Sequence, residues 1–139
     1  MKIYFAGSIR GGRDDKQIYL ELIRHLRKYG QVLTEHIGDT DLTVKGEDGL
    51  IDEHIYSRDL AWIKEADVLI AEVSTPSLGV GYEIGKAEEM KKPVLCLYRQ
   101  QGNKRLSGMI NGNPNVRIAH YTTLKEAFNH IKEFFQSLQ

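Results

Sequence analysis

Glu83 follows Ser77 and Gly79 within the run Pro76-Ser77-Leu78-Gly79-Val80-Gly81-Tyr82-Glu83-Ile84-Gly85. The run comes directly after the apolar segment Asp67 to Val73, which reads as a buried strand. It also opens a helical pattern in which Val80, Ile84 and Ala87 share one face. A strand, a Ser/Gly turn and a helix start suit an anion, because unpaired backbone N–H groups and the helix dipole converge there. At a helical rise of about 1.5 Å per residue, Glu83 lies roughly 6 Å beyond Gly79 along the axis. That is close to the gap between a nucleotide's 5′-phosphate and its anomeric carbon. One short segment can therefore hold a phosphate and aim a nucleophile at a glycosidic bond. Taken alone, the same residues also read as an ordinary α/β connection followed by a solvated helix carboxylate.

A second unusual turn, Gly7-Ser8-Ile9-Arg10-Gly11-Gly12-Arg13-Asp14-Asp15, follows the strand-like Ile3 to Ala6. Ser8, Arg10, Gly11 and Gly12 supply a hydroxyl, a guanidinium and a permissive backbone, the ingredients of a phosphate cradle. The plainer alternative is a Gly-Gly turn, a helix cap at Asp14 and a surface charge at Arg10. No Gly-Lys-Ser/Thr triplet is present, which excludes a Walker A loop, and the first turn lacks dinucleotide-binding spacing. Tyr4 lies within the first strand, either as a core aromatic or with its hydroxyl over the turn. Asp59, within Ser57-Arg58-Asp59-Leu60-Ala61-Trp62, is either a solvated helix carboxylate or a second acid for the same site. Glu35 and His36 end the second strand near the same rim. No His-x-x-x-His or comparable spacing exists, so neither a metal nor a cofactor is expected.

The elements that must position these residues alternate between strand and helix. Ile3–Ala6 reads as a strand and Asp14–Tyr29 as a helix with Ile18, Leu22, Leu26 and Tyr29 on one stripe, stopped by Gly30. Gln31–Thr34 reads as a short strand, 37–49 as a long polar loop, Ile51–Glu65 as a helix and Val68–Val73 as a strand. The helix after Ser77 runs to Lys91 or Lys92, where Pro93 ends it. Pro93–Tyr98 and Val116–His120 are the last strands. The closing helix carries Leu124, Phe128, Ile131, Phe135 and Leu138 on one face. Five short strands alternating with helices imply an α/β fold: one domain over 1–139, with a doubly wound parallel sheet in the flavodoxin-like, Rossmann-like order 2-1-3-4-5. In that order the ligand crevice opens at the carboxyl ends of strands one and three, where both Gly/Ser turns fall.

Composition narrows the class. With 139 residues, 41% hydrophobic and 27% charged, the chain is a soluble globular domain with a core of its own. Lys+Arg and Asp+Glu both number 19, so a polyanion-binding surface, and with it a nucleic-acid partner, is not expected. No apolar run approaches the roughly 20 residues of a membrane helix. Met1 to Ala6 already read as strand, leaving no room for a signal peptide. The single cysteine, Cys96, sits in an apolar strand as a small hydrophobe, and a cytoplasmic, reducing setting is expected.

The chain resembles the 2′-deoxynucleoside 5′-monophosphate N-hydrolases of the nucleoside 2-deoxyribosyltransferase superfamily. The resemblance rests on Tyr4 to Arg13, Leu33-Thr34-Glu35-His36, Asp59-Leu60-Ala61-Trp62, Ala71-Glu72-Val73 through Gly85, Leu95-Cys96-Leu97 and Leu106-Ser107. It spans about Ile3 to Ile110; the loop 37–49 and the segment after Asn111 match poorly. It implies that Glu83 is the nucleophile, Asp59 the acid that assists the departing base and Tyr4 the residue that orients Glu83. It further implies substrate contacts from Ser8, Ile9, Arg10, Gly12, Ser77 and Gly79, and a rim position for His36. Ser107 would reach the phosphate of the neighbouring subunit in a homodimer.

The implied chemistry is hydrolysis of an N-glycosidic bond through a 5-phospho-2-deoxyribosyl-enzyme. A carboxylate traps the oxocarbenium character that builds on the sugar, and a second carboxyl protonates the leaving base. Ionised Glu83 suits a helix N-terminus, while the nearby phosphate opposes it and Arg10 would offset that charge. Three alternatives share the crevice: a deoxyribosyltransferase, a ribonucleotide N-glycosidase and a nucleotide sensor without catalysis. The plain amphipathic C-terminal helix and the serines placed for a phosphate favour the hydrolase over the transferase.

Overall fold

The computed structural model describes residues 1–9, 13–34 and 51–139, with residues 13 and 14 as backbone only. In chain order these form β1 (Lys2–Ala6), α1 (Arg13–Leu26), β2 (Gln31–Val32), α2 (Asp52–Glu65), β3 (Val68–Glu72), α3 (Leu78–Glu89), β4 (Val94–Arg99), α4 (Gly108–Asn111), β5 (Arg117–Tyr121) and α5 (Leu124–Ser137). All four strand pairings are parallel, and the sheet order is β2-β1-β3-β4-β5, as the alternation of elements implies. The central pairing aligns Tyr4 with Leu69 and Ala6 with Ala71, so β1 and β3 end side by side.

Strand periodicity sorts the core onto two faces. Ile3, Phe5, Val68, Ile70, Leu95 and Leu97 pack with α1 and α5. Tyr4, Ala6, Leu69, Ala71, Cys96 and Tyr98 pack on the other face with residues of α2 and α3. The predicted α3 stripe, Val80, Ile84 and Ala87, is buried. Of the predicted α5 stripe, Ile131 and Phe135 are buried, together with Ala127 and Phe134, while Leu124 and Phe128 are partly buried and Leu138, at the helix end, is exposed. Cys96 is fully buried, and burial pushes its thiol up to about 12, as a small core hydrophobe.

Several boundaries differ from those expected. α1 ends at Leu26, and the chain tightens through Lys28 N–H to His25 O and Tyr29 N–H to Leu26 O. Gly30 does more than stop a helix. A Cβ there would lie 2.1 Å from the Met1 carbonyl oxygen, so only glycine lets the chain pass. β2 pairs only at Gln31 and Val32 because the Thr34 side chain replaces the next rung. Its hydroxyl donates to Phe5 O at 2.6 Å and accepts from Phe5 N–H at 2.8 Å. The short α4, which periodicity does not reveal, opens at an N-cap provided by Ser107.

Candidate active site

α3 starts where β3 ends. Ser77 adopts extended backbone angles and its Oγ accepts from Val80 N–H at 3.2 Å, the geometry of an N-cap. The hydroxyl proton of Ser77 is not used by that bond, and the first-turn N–H groups have no acceptor within the helix. Gly79 lies in this turn. A Cβ on it would meet only Ser77 Oγ and Glu83 Oε1, each at 3.8 Å. Ser77 and Glu83 therefore face one another across a bare glycine floor.

Glu83 is placed by the packing of its helix. Val80 and Ala87, three residues before and four after it, are buried against the sheet, which turns the carboxylate inward over β1. There it comes close to Tyr4, a β1 side chain only 1% exposed. Burial, then the charges of Glu83 and Asp59, push the Tyr4 phenol far above the ordinary tyrosine range, with Arg58 opposing. Tyr4 thus keeps its proton beside the Glu83 carboxylate.

Asp59 reaches the same place from α2. Ile63, one turn later, is buried against the sheet and orients that helix face toward β1. Asp59 Oδ1 accepts from Arg58 Nε and pairs with Arg58 Nη2, both at 2.9 Å, and the Arg58 guanidinium lies 4.9 Å from the centre of the Trp62 ring. Asp59, Glu83 and Gly79 line one open cleft of about 240 Å³ whose remaining walls include Ile55, Tyr56 and Tyr82. The two tyrosine rings lie 6.3 Å apart at 56°, and both are about half exposed.

The first turn lies beside this cleft because β1 and β3 are neighbours. Ser8 is buried, its N–H donating to the Tyr19 hydroxyl at 3.0 Å, and Ile9 is partly buried. Arg10, Gly12 and His36 lie outside the described residues. Ser107 caps α4, accepting from Met109 N–H at 3.2 Å. With Ser77 of the same chain it lines a larger cavity of about 550 Å³. Among the described residues no group of three or more His, Cys, Asp or Glu side chains could hold a metal ion. Nor is any helix among them long and apolar enough to cross a membrane.

The fold thus brings Tyr4, Asp59, Ser77, Gly79 and Glu83 into one region. Arg58, Tyr56 and Tyr82 escaped the sequence reading. The spacing of Arg58 and Trp62, four residues apart on a helix, was the one available signal for the first. For the tyrosines there was none, because their proximity depends on α2 and α3 packing side by side.

The chain is similar to proteins of known kind. The chain is 53% identical over 111 residues to the 5-hydroxymethyl-dUMP N-hydrolase of Mus musculus, across 79% of this chain and 64% of the mouse protein. The chain thus spans somewhat less than two thirds of that relative. Against the 5-hydroxymethyl-dUMP N-hydrolase of Esox lucius it is 46% identical over 142 residues, across 99% of this chain and 98% of that protein. The solution structure of BlsM shares the fold, with a TM-score of 0.76 at 24% identity, covering 96% of this chain and 88% of that one. The family model for nucleoside 2-deoxyribosyltransferases matches residues 3–130, a span that holds all of the sheet but Lys2, both Gly/Ser turns and the two carboxylates of the cleft. The chain belongs to the nucleoside 2-deoxyribosyltransferase family.

Proposed function

We propose that this protein is an N-glycosidase that hydrolyses 2′-deoxynucleoside 5′-monophosphates to the free base and 2-deoxyribose 5-phosphate. The observation that carries the reading is the placement of Glu83: beside a buried tyrosine, across one cleft from Asp59 and one glycine away from a capped helix N-terminus. The N-terminus of α3 and Ser77 bind the phosphate, together with Ser8, Ile9, Arg10 and Gly12 of the first turn. His36 stands at the rim.

Glu83 attacks the anomeric carbon as the N-glycosidic bond breaks, and the bond's electron pair leaves with the base. Asp59 gives its proton to the base. Water then attacks the anomeric carbon of the glycosyl ester, Asp59 takes a proton from that water, and Glu83 leaves as a carboxylate. The base departs with one proton, the sugar gains a hydroxyl, and both side chains return to their starting states. Tyr4 holds the attacking carboxylate in line throughout.

The name shared by the Mus musculus and Esox lucius relatives makes 5-hydroxymethyl-dUMP the first substrate to try. Leu78 and Met109, 97% and 84% exposed, form an apolar mouth to the cavity that Ser77 and Ser107 share. This supports a homodimer in which a second protomer covers that mouth and Ser107 approaches the partner's phosphate. The single, buried cysteine suits a reducing, cytoplasmic setting.

The test is chromatographic detection of free base from 5-hydroxymethyl-dUMP, the four common 2′-deoxynucleoside monophosphates, the matching nucleosides and the ribonucleotides, with Glu83→Ala as control. Release from deoxy-monophosphates alone, lost in Glu83→Ala, is expected. Exchange onto an added second base would instead make the protein a transferase. Release from ribonucleotides at an equal rate would make it a ribonucleotide glycosidase, and binding without release would make it a sensor.

A further inference from the structure

The two turns of the proposed phosphate site are fastened from the opposite face of the sheet by one stripe of α1. Asp15 and Tyr19 are four residues apart and lie on the same side of that helix. Tyr19 holds the first turn. Its hydroxyl accepts from Ser8 N–H, and a Cβ on Gly7 would lie 2.9 Å from its ring. Asp15, only 6% exposed, holds the second turn: the Thr75 hydroxyl donates to Oδ2, and Arg99 Nη2 pairs with Oδ1 at 3.2 Å.

Arg99 in turn reaches the same turn through its backbone, its N–H donating to Ser74 Oγ at 2.8 Å. The buried carboxyl of Glu72 completes the fastening. It accepts from Ser74 N–H at 2.7 Å, from Ser74 Oγ at 2.9 Å and from the Tyr121 hydroxyl. Ser74 and Thr75 are therefore tied to α1, β4 and β5 just before the chain reaches Ser77. Among the described residues Arg99 Nε is buried without a hydrogen-bond partner, which leaves Asp15 as the counter-charge of that side chain.

We propose that Asp15 is a positioning residue for phosphate recognition: through Thr75 and Arg99 it fixes the distance between the Ser77 helix start and the Ser8 turn. The inference rests on the phosphate site assigned above and adds what sets its geometry. A phosphate needs donors from both turns at once, so loosening one turn relative to the other weakens the grip on the anion. It leaves the Tyr4–Glu83 pair, on the other face of the sheet, untouched. The expected result is a loss of preference for phosphorylated over unphosphorylated nucleosides rather than a general loss of catalysis.

The test compares Thr75→Val, Thr75→Ser, Asp15→Asn and the Thr75→Val/Asp15→Asn double variant. Two readouts are needed: calorimetric binding of inorganic phosphate, and the ratio of kcat/KM for a deoxynucleoside monophosphate to that for its nucleoside. Thr75→Val is expected to weaken phosphate binding roughly tenfold, the scale of a lost hydrogen bond to a charged group. Thr75→Ser restores it, and the double variant loses little more than Asp15→Asn alone. Should Asp15→Asn fail to fold, the Val/Ser pair at Thr75 still decides. Phosphate affinity and monophosphate preference unchanged in a folded Thr75→Val would overturn the inference while leaving the site intact. A wild type that binds no phosphate would overturn the site and the inference together.

Discussion

The Tyr4 phenol, buried on β1, lies beside the Glu83 carboxylate on α3, close enough for that charge to oppose its ionisation. A sheet side chain thus faces a helix side chain, and the carboxylate rests against the rigid layer beneath it. The phenol stays protonated there, since burial and the surrounding negative charge oppose its ionisation.

Tyr4→Phe tests whether the phenol aligns Glu83 by donating a hydrogen bond to it during catalysis. Removing a donor to a charged acceptor costs about 1.5–3 kcal/mol, so kcat should fall by roughly ten- to a hundred-fold. Because the phenol lies beside Glu83, KM should stay within about twofold. Steady-state and single-turnover base release would show the split. A rise in KM with kcat unchanged would mean that Tyr4 binds substrate instead of aligning Glu83.

Asp59→Asn probes proton donation. A positioned general acid contributes roughly a hundred- to ten-thousand-fold, and the amide cannot supply the proton. The loss should be large for a nucleobase and under about tenfold for 4-nitrophenyl 2-deoxyriboside 5-phosphate, whose leaving group departs as a stable anion. Equal losses on both substrates would assign Asp59 to binding or orientation, with its Arg58 partner.

Gly79→Ala separates stability from function. The added methyl meets only ordinary contacts, 3.8 Å from Ser77 Oγ and from Glu83 Oε1, and alanine favours the helix by up to about 1 kcal/mol. Thermal unfolding should therefore move up slightly. The same methyl occupies the floor between the proposed phosphate and nucleophile positions, so KM should rise by about tenfold or more. A more stable variant with unaltered KM would show that substrate does not lie over Gly79.

Much of this was legible from local pattern. Alternating strands and helices imply the parallel sheet that is found, and the Ser77-to-Glu83 spacing puts a helix start and a carboxylate on one helix. What escaped were relationships made by the fold. Glu72 reads as one residue of a buried strand, yet its partner Tyr121 lies on β5, a separation in sequence that no window spans. Thr34 reads as a strand residue, but its hydroxyl takes over a backbone rung and ends β2 early. Asp15 sits beside the Gly-Gly turn, where a helix-start carboxylate is ordinary. Only the approach of Thr75 and Arg99 distinguishes it.

His25 carries the last expectation, on stability. Its ring stacks on Phe128 at 3.9 Å and 9°, joining α1 to α5, and its Nε2 is buried with no hydrogen-bond partner among the described residues. Burial, and then the charge of Lys28, lower its affinity for a proton below that of an ordinary histidine. Between that lowered value and about 6.5, the unfolded chain binds more protons at this site than the folded one, so stability rises with pH through the window. It is fully present above the window and lost as pH falls below about 6.5. The carboxyl of Glu72, raised by burial, acts in the opposite sense, so the contribution of His25 is read as a difference between proteins. Melting temperatures across mildly acidic to neutral pH should climb more steeply for the wild type than for His25→Phe, which keeps an aromatic stack but cannot titrate. Parallel curves would mean that the imidazole is protonated in place, with the α1–α5 contact accommodating the charge.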